Sequence, residues 1–236
     1  MGFADNMGSR PTWLTFDCYG TLIQWDEGLV AAVERILGKK QNSQVSSSKL
    51  ISVYDRHEHE LEAHKPHRTF RDVAGQALQM AMHELGLAYD PGDIEELTSS
   101  IALMPPFPEV IPVLAQLKRM GFRLCIVSNT DDDIIAGNVA QMRELFDRVI
   151  TAQQARAYKP TRAIFDHAHR ELGVGAGDVV HICASPHLDL RAARDIGFRC
   201  VWIDRHTARR PLSDYTPDAV FDKLDRVPVF FKQLCW

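Results

Sequence analysis

The chain has 236 residues, 45% of them apolar and 25% charged, and a formal net charge of −4. Such a composition can bury a sizeable core; it offers no basic stripe for nucleic acid, and no apolar run approaches the roughly 18 residues of a membrane span. The five cysteines, Cys18, Cys125, Cys183, Cys200 and Cys235, are odd in number, widely spaced and set in strand-like surroundings, so they read as buried reduced thiols of a cytoplasmic protein rather than a disulfide framework.

The first residues, "MGFADNMGSRP", lack the charged-then-apolar order of a secretory signal and read as a loose tail. In "TWLTFDCYGTLIQW" an apolar run, Trp13 to Phe16, stops abruptly on Asp17, with Tyr19-Gly20-Thr21 behind it. From about Asp26 to Met104 strand patterning disappears. "VAAVERIL", "SKLISVYDRHEHELEAH", "FRDVAGQALQMAMHELGL" and "DIEELTSSIALM" all carry helical spacing, and the prolines of "MPPFPEV" close the segment. Strands and helices then alternate. "EVIPVLAQLKRMG", "RAIFDHAHRELGV" and "LRAARDIGF" are helical and end on Gly121, Gly173 and Gly197. "FRLCIVSN", "RVITA", "VVHICAS" and "RCVWID" are short, nearly continuous apolar runs, as strands buried on both faces should be. The alternation predicts an α/β fold: a doubly wound, Rossmann-like parallel sheet over 12–25 and 105–236, with an inserted all-helical cap domain over 26–104.

In open parallel sheets, sites form beyond the carboxyl ends of the strands. The first strand delivers Asp17 there, the second Ser128 and Asn129, the loop after the third Lys159, and the fourth Ser185 and Asp189. Taken singly, each residue reads as a turn, cap or solvated side chain. Together, two carboxylates, a lysine and small polar donors at successive strand ends make the layout of a site built around an attacking carboxylate held on a rigid sheet.

"FDCYGTL", "IVSN", "YKP" and "ASPHLDLRAARDIGF" resemble the four ordered motifs of the haloacid dehalogenase superfamily. The resemblance runs over essentially the whole chain, helical cap included. It implies a core sheet of order 5-4-1-2-3, Asp17 as nucleophile, Thr21 and Ser128 as donors that position its carboxylate or the intermediate, Lys159 as its charge partner and Asp189 as the fourth-motif acid.

The residue two places after the nucleophile bears on the reaction. Phosphatases of this superfamily carry a second Asp there, which protonates the departing alkoxide and helps hold Mg²⁺; here it is Tyr19. A phenol of pKa about 10 is a poor acid for that task. Halide leaves without a proton, and D-x-Y-G-T is similar to the pattern of the type II (S)-2-haloacid dehalogenases. The resemblance thus implies hydrolysis of short 2-halocarboxylic acids to 2-hydroxy acids through an aspartyl ester. It implies no metal and no cofactor, because Lys159 can neutralise both carboxylates.

For substrate contacts the candidates are Tyr19, Asn129 and Ser185, with Tyr54 and His57, which share a helical face with Leu61 and are weighed against plain cap-to-core packing. Trp25 either lines the pocket or packs. The histidines at 57, 59, 64 and 67 form no compact metal set, and "DDD" at 131–133 suits a helix N-terminus. The chain departs from the family at the substrate-gripping shell: no cap arginine matches, although Arg56 is near, Phe165 stands where a tyrosine is usual, and Ala184 and Pro186 replace Ser and Asn. A Mg²⁺-dependent phosphate-monoester hydrolase and a catalytically weakened binding protein are the alternatives. The expected partner is a small molecule, with neither nucleic acid nor membrane; the sequence leaves the oligomeric state open, a homodimer included.

Overall fold

The computed structural model describes residues 8–40, 44–207 and 209–236; most of the tail expected at the start, residues 1–7, lies outside them. In chain order the elements are β1 (Trp13–Phe16), α1 (Trp25–Lys39), α2 (Ser47–Glu62), α3 (Phe70–Glu84), α4 (Pro91–Leu103), α5 (Val110–Arg119), β2 (Arg123–Ser128), α6 (Asp132–Gln141), β3 (Arg148–Thr151), the short α7 (Ala152–Ala155), α8 (Arg162–Leu172), β4 (Val179–Cys183), α9 (Arg191–Ile196), β5 (Arg199–Ile203), β6 (Ala219–Phe221) and α10 (Arg226–Gln233).

The strands form one parallel sheet of order β3-β2-β1-β4-β5-β6, with helices on both sides. The expected order is present, with one further edge strand. That strand, β6, was invisible in the sequence because it is three residues long, half-wet at Val220 and set among aspartates. Its pairing is fixed from both ends, by Asp218, whose amide donates to the Cys200 carbonyl, and by Asp204, whose amide donates to that of Phe221. β1 and β4 are buried along their whole length, which explains their unbroken apolar runs. Phe16 pairs with Ile126 of β2 on one side and Ile182 of β4 on the other. The winding reverses between β1 and β4, so a crevice opens beyond their carboxyl ends.

Helices α1 to α4 fill the segment between β1 and α5, where strand patterning fails. The core helix α6 ties two of them down. Asp131, just before α6, does not cap its own helix; its carboxylate accepts from the Phe70 and Arg71 amides, both at 2.9 Å, at the start of α3. Asn138 donates its amide to the Ile101 and Met104 carbonyls at the end of α4. Helix ends leave such amides and carbonyls short of partners, and although the Ile101 carbonyl also accepts from the Met104 amide, these caps satisfy groups that burial would otherwise penalise. The approach is close enough to require Gly137, since a Cβ there would lie 2.5 Å from the Ala102 carbonyl oxygen.

Candidate active site

Asp17 is the first residue past β1, and its amide still donates to the Ile182 carbonyl, so the sheet fixes its backbone. The chain then turns tightly: the Leu22 and Ile23 amides return to the Cys18 carbonyl, and Gly20 takes φ +80°, where a side chain would be strained and would crowd the Arg209 guanidinium. This turn brings Thr21 back beside Asp17.

The carboxylate of Asp17 is held at both oxygens. Oδ1 accepts from Lys159 Nζ at 2.7 Å and Oδ2 from Thr21 Oγ1 at 2.6 Å. The Thr21 hydroxyl in turn accepts from the Ala184 amide at 2.8 Å, tying the motif after β1 to the one after β4. Lys159 Nζ also donates to Asp189 Oδ1 at 2.8 Å. Lys159 and Asp189 are fully enclosed, and Asp17 is 5% exposed. Burial alone would push the Lys159 ammonium down; the two carboxylates more than reverse it, and the lysine stays charged. Burial likewise works against Asp189, but Lys159 and His181 hold its carboxyl below the usual range.

His181 was not singled out from the sequence. It lies in mid-β4, with Nε2 2.9 Å from Asp189 Oδ1 and Nδ1 2.9 Å from Thr15 Oγ1. A carboxylate only accepts, so Nε2 carries the proton in this pair. The signal was present: a histidine inside the apolar run "VVHIC" is buried on both faces and must find partners. Phe165, where the family has a tyrosine, meets the His181 ring edge-on with centroids 5.6 Å apart.

A cavity of about 300 Å³ opens over Asp17, at the small end of ligand pockets. Ser128, Asn129, Lys159, Ser185 and Tyr19 line it, and so does Trp25. Asn129 grips the lysine loop through both ends of its amide, accepting from the Lys159 amide at 2.7 Å and donating to the Lys159 carbonyl at 3.2 Å. Ser128 Oγ is buried and has no hydrogen-bond partner among the described residues; it is not bonded to the Asp17 carboxylate, which leaves its expected contact with an intermediate. The Ser185 hydroxyl accepts from the Leu188 amide and so caps the turn that carries Asp189. The Tyr19 hydroxyl donates to Asn138 Oδ1 at 3.1 Å, and burial pushes its pKa up, so it supplies no acid to Asp17.

Two of the expected contacts are not at the cavity. Tyr54 donates to Glu58 at 2.6 Å and His57 pairs with Glu84 of α3; neither lines it. They belong to the stripe of α2 that packs against neighbouring helices, with Leu50, Val53 and Leu61. The polar face, Asp55, Glu58, His59 and Glu62, turns to the cavity instead. Arg56 is exposed and bonded to Glu84, away from it.

A divalent metal fits these residues poorly. Mg²⁺ asks for about six oxygens in octahedral array, whereas the ammonium of Lys159 already bridges the two carboxylates that could offer them, and Tyr19 points elsewhere. His181, Cys183 and Asp189 do lie together, but His181 and Asp189 are bonded to each other, and a sulfur–nitrogen set is not one for Mg²⁺.

A family model described as a haloacid dehalogenase-like hydrolase matches residues 12–197. The (S)-2-haloacid dehalogenase of Pseudomonas sp. (strain YL) is 27% identical over 201 residues, covering 81% of this chain and 82% of that protein. A glyceraldehyde 3-phosphate phosphatase of Methanopyrus kandleri is 31% identical over 115 residues, 45% of this chain and 47% of its own. Among solved structures, the L-2-haloacid dehalogenase RSc1362 superposes with a TM-score of 0.83 at 26% identity, covering 95% of this chain and 100% of that one.

Proposed function

Since the chain belongs to the haloacid dehalogenase-like hydrolase family, we propose that it hydrolyses a carbon–halogen bond of a small organic halide through an ester on Asp17, without a metal. Short 2-halocarboxylates, converted to 2-hydroxy acids, are the reference substrates of this reading. The observation that carries it is the Lys159 ammonium seated between Asp17 and Asp189, in a site where the second-carboxylate position is a tyrosine bonded to Asn138.

In the first step an oxygen of Asp17 attacks the halogen-bearing carbon. The C–O bond forms as the C–X bond breaks, and halide leaves with the bonding pair. Halide needs no proton, so the lack of an acid at Tyr19 costs nothing. In the second step water attacks the Asp17 acyl carbon. Asp189, whose Oδ2 has no partner among the described residues, takes a proton from that water. The tetrahedral adduct expels the alkoxide, which recovers the proton from Asp189, and the regenerated Asp17 acid ionises. The net reaction is halide plus water to alcohol, halide ion and a proton.

The competing reading, Mg²⁺-dependent hydrolysis of a phosphate monoester, has a relative of that kind over less than half the chain, but alkoxide departure would lack its acid and Mg²⁺ its ligands. The test is halide release from chloro- and bromo-substituted acids and amides, with EDTA and with added Mg²⁺. Release that survives EDTA and falls by orders of magnitude in Asp17→Asn is expected; single turnover in ¹⁸O water should label Asp17 before the product. Phosphate release that requires Mg²⁺, or turnover of no halide, refutes the assignment; the latter, with the fold intact, leaves a weakened binding protein.

A further inference from the structure

Asp55, Glu58 and Glu62 lie at i, i+3 and i+7 of α2, and all three line the cavity that holds Asp17. Only two permanently charged cations line it among the described residues, and both are already engaged. Lys159 is held by Asp17 and Asp189, and Arg209 makes a two-point pair with Asp26 at 2.7 and 2.9 Å. The partners of the two glutamates are neutral: Tyr54 donates to Glu58 at 2.6 Å, and the Asn129 amide reaches Glu62 at 3.3 Å. Independently, Ser128 Oγ lines the same cavity, 1% exposed and without a partner among the described residues, so the cavity presents polar atoms to a ligand on both the core and the α2 side.

The carboxylate of a 2-haloacid would find no unengaged permanent cation here, only His59 and His187, and three acidic side chains beside it. We infer that the substrate instead carries a positive charge, an alkylammonium or amidinium group that docks on the Asp55–Glu58–Glu62 face of α2 while its carbon–halogen bond faces Asp17. The second half rests on the halide-displacing role of Asp17; the first stands on the cavity alone. Burial pushes the Glu58 carboxyl up to about 7 and raises that of Glu62 as well, so without a counter-charge these groups tend to hold their protons, and a docked cation would draw the protons off.

Three planar isosteres test this: chloroacetate, chloroacetamide and chloroacetamidine, which is cationic at neutral pH. Halide release is measured at pH 8 for the wild type, Glu58→Gln, Glu62→Gln and the double variant. The amidine should be preferred over chloroacetate in kcat/KM, and the amidine-to-acetate ratio should fall at least tenfold in the double variant. Comparing ratios between enzymes cancels the intrinsic reactivities of the halides. A wild-type preference for chloroacetate or for the neutral amide, or a ratio that the substitutions leave unchanged, overturns the inference. If no halide is released, the Asp17 reading has failed, and the cation site is tested separately. Acetamidine and acetate, which have no halogen, are titrated into wild-type enzyme carrying ¹³C-labelled glutamate carboxyls. Acetamidine should lower the Glu58 and Glu62 pKa values and acetate should not; if acetamidine leaves both unmoved, the site does not bind cations.

Discussion

Replacing Lys159 with methionine keeps the bulk of the side chain and removes its charge. The ammonium lies 2.7 and 2.8 Å from its two carboxylates. At an effective dielectric of about 20, each contact is worth about 6 kcal/mol of Coulomb energy before desolvation is counted. Removing one partner of such a buried pair typically costs about 3–5 kcal/mol, because the remaining charge is left uncompensated. In the wild type Asp189 is held below the usual carboxylate range, so its contribution to stability is complete above the unfolded value and is lost only as pH falls through the folded one. Without Lys159, burial pushes Asp189 up and the sign reverses: stability falls as pH rises through the new value. Urea melts at pH 5.5 and pH 8 should compare variant with wild type at each pH: the Asp189 contribution of the wild type is constant in this window, while Glu58 and Glu62, raised by burial in both proteins, lower stability alike as pH rises. The variant should lose about 3–5 kcal/mol at pH 8 and recover part of it at pH 5.5. Lys159→Met with Asp189→Asn should regain most of the loss, which keeps the test informative if the single variant does not fold. A loss under about 1 kcal/mol with no pH dependence refutes the claim that this ammonium holds the two carboxylates together.

Thr21→Ala removes the hydroxyl on Asp17 Oδ2 and strands the Ala184 amide, so urea denaturation should show a loss of about 1–3 kcal/mol, with slower ester formation in single turnover. His181→Leu takes one of two donors from Asp189 Oδ1; under the proposed mechanism, in which Asp189 serves the second step, hydrolysis should slow more than alkylation, and esterified Asp17 should accumulate in mass spectra after quenching. Asp131→Ala removes the acceptor of two first-turn amides of α3, leaving the Thr69 cap in place, and should lower stability by about 0.5–2 kcal/mol, with faster hydrogen exchange at the Phe70 and Arg71 amides than elsewhere in α3.

The sheet was legible because its central strands are buried on both faces and therefore carry unbroken apolar runs between clear stops. The carboxylates and the lysine were legible only together: each alone reads as a turn, cap or solvated side chain, but the parallel sheet brings all three to one edge. β6 escaped because an edge strand of three residues has no period to read. The face of α2 was misjudged because apolar spacing marks the side that packs on other helices, and Tyr54 and His57 lie on that side. A charged face of a helix looks the same in sequence whether it meets solvent or a polar cavity, so Asp55, Glu58 and Glu62 gave no distinguishing signal. Asp131 shows the same limit in a cap: the three aspartates point to a helix start, but not to the helix whose amides Asp131 serves lying 60 residues earlier.

The bonds that hold the reacting groups and those that shape the rest of the cavity run through different parts of the chain. Asp17, Thr21, Lys159, His181 and Asp189 are linked to one another through core residues alone. Among the described residues, the polar route from α2 to that set is indirect: the Asn129 amide, which grips the Lys159 backbone, reaches Glu62 at 3.3 Å or more. Substitutions on the polar face of α2 therefore leave the sheet-end geometry almost untouched, since the packing stripe of that helix is on its other side. The inserted helices are in turn held over the sheet by caps from α6, at Phe70 and Arg71 for α3 and at Ile101 and Met104 for α4, none of which involves the lining residues of α2. A chain built this way can change the charge it presents to a substrate without changing how Asp17 is aimed. It follows that Glu58→Gln and Glu62→Gln should alter which halide is preferred while the Lys159 contacts stay close to those of the wild type, and, because burial raises both carboxyls, the amides should be neutral or stabilising in urea melts at pH 8.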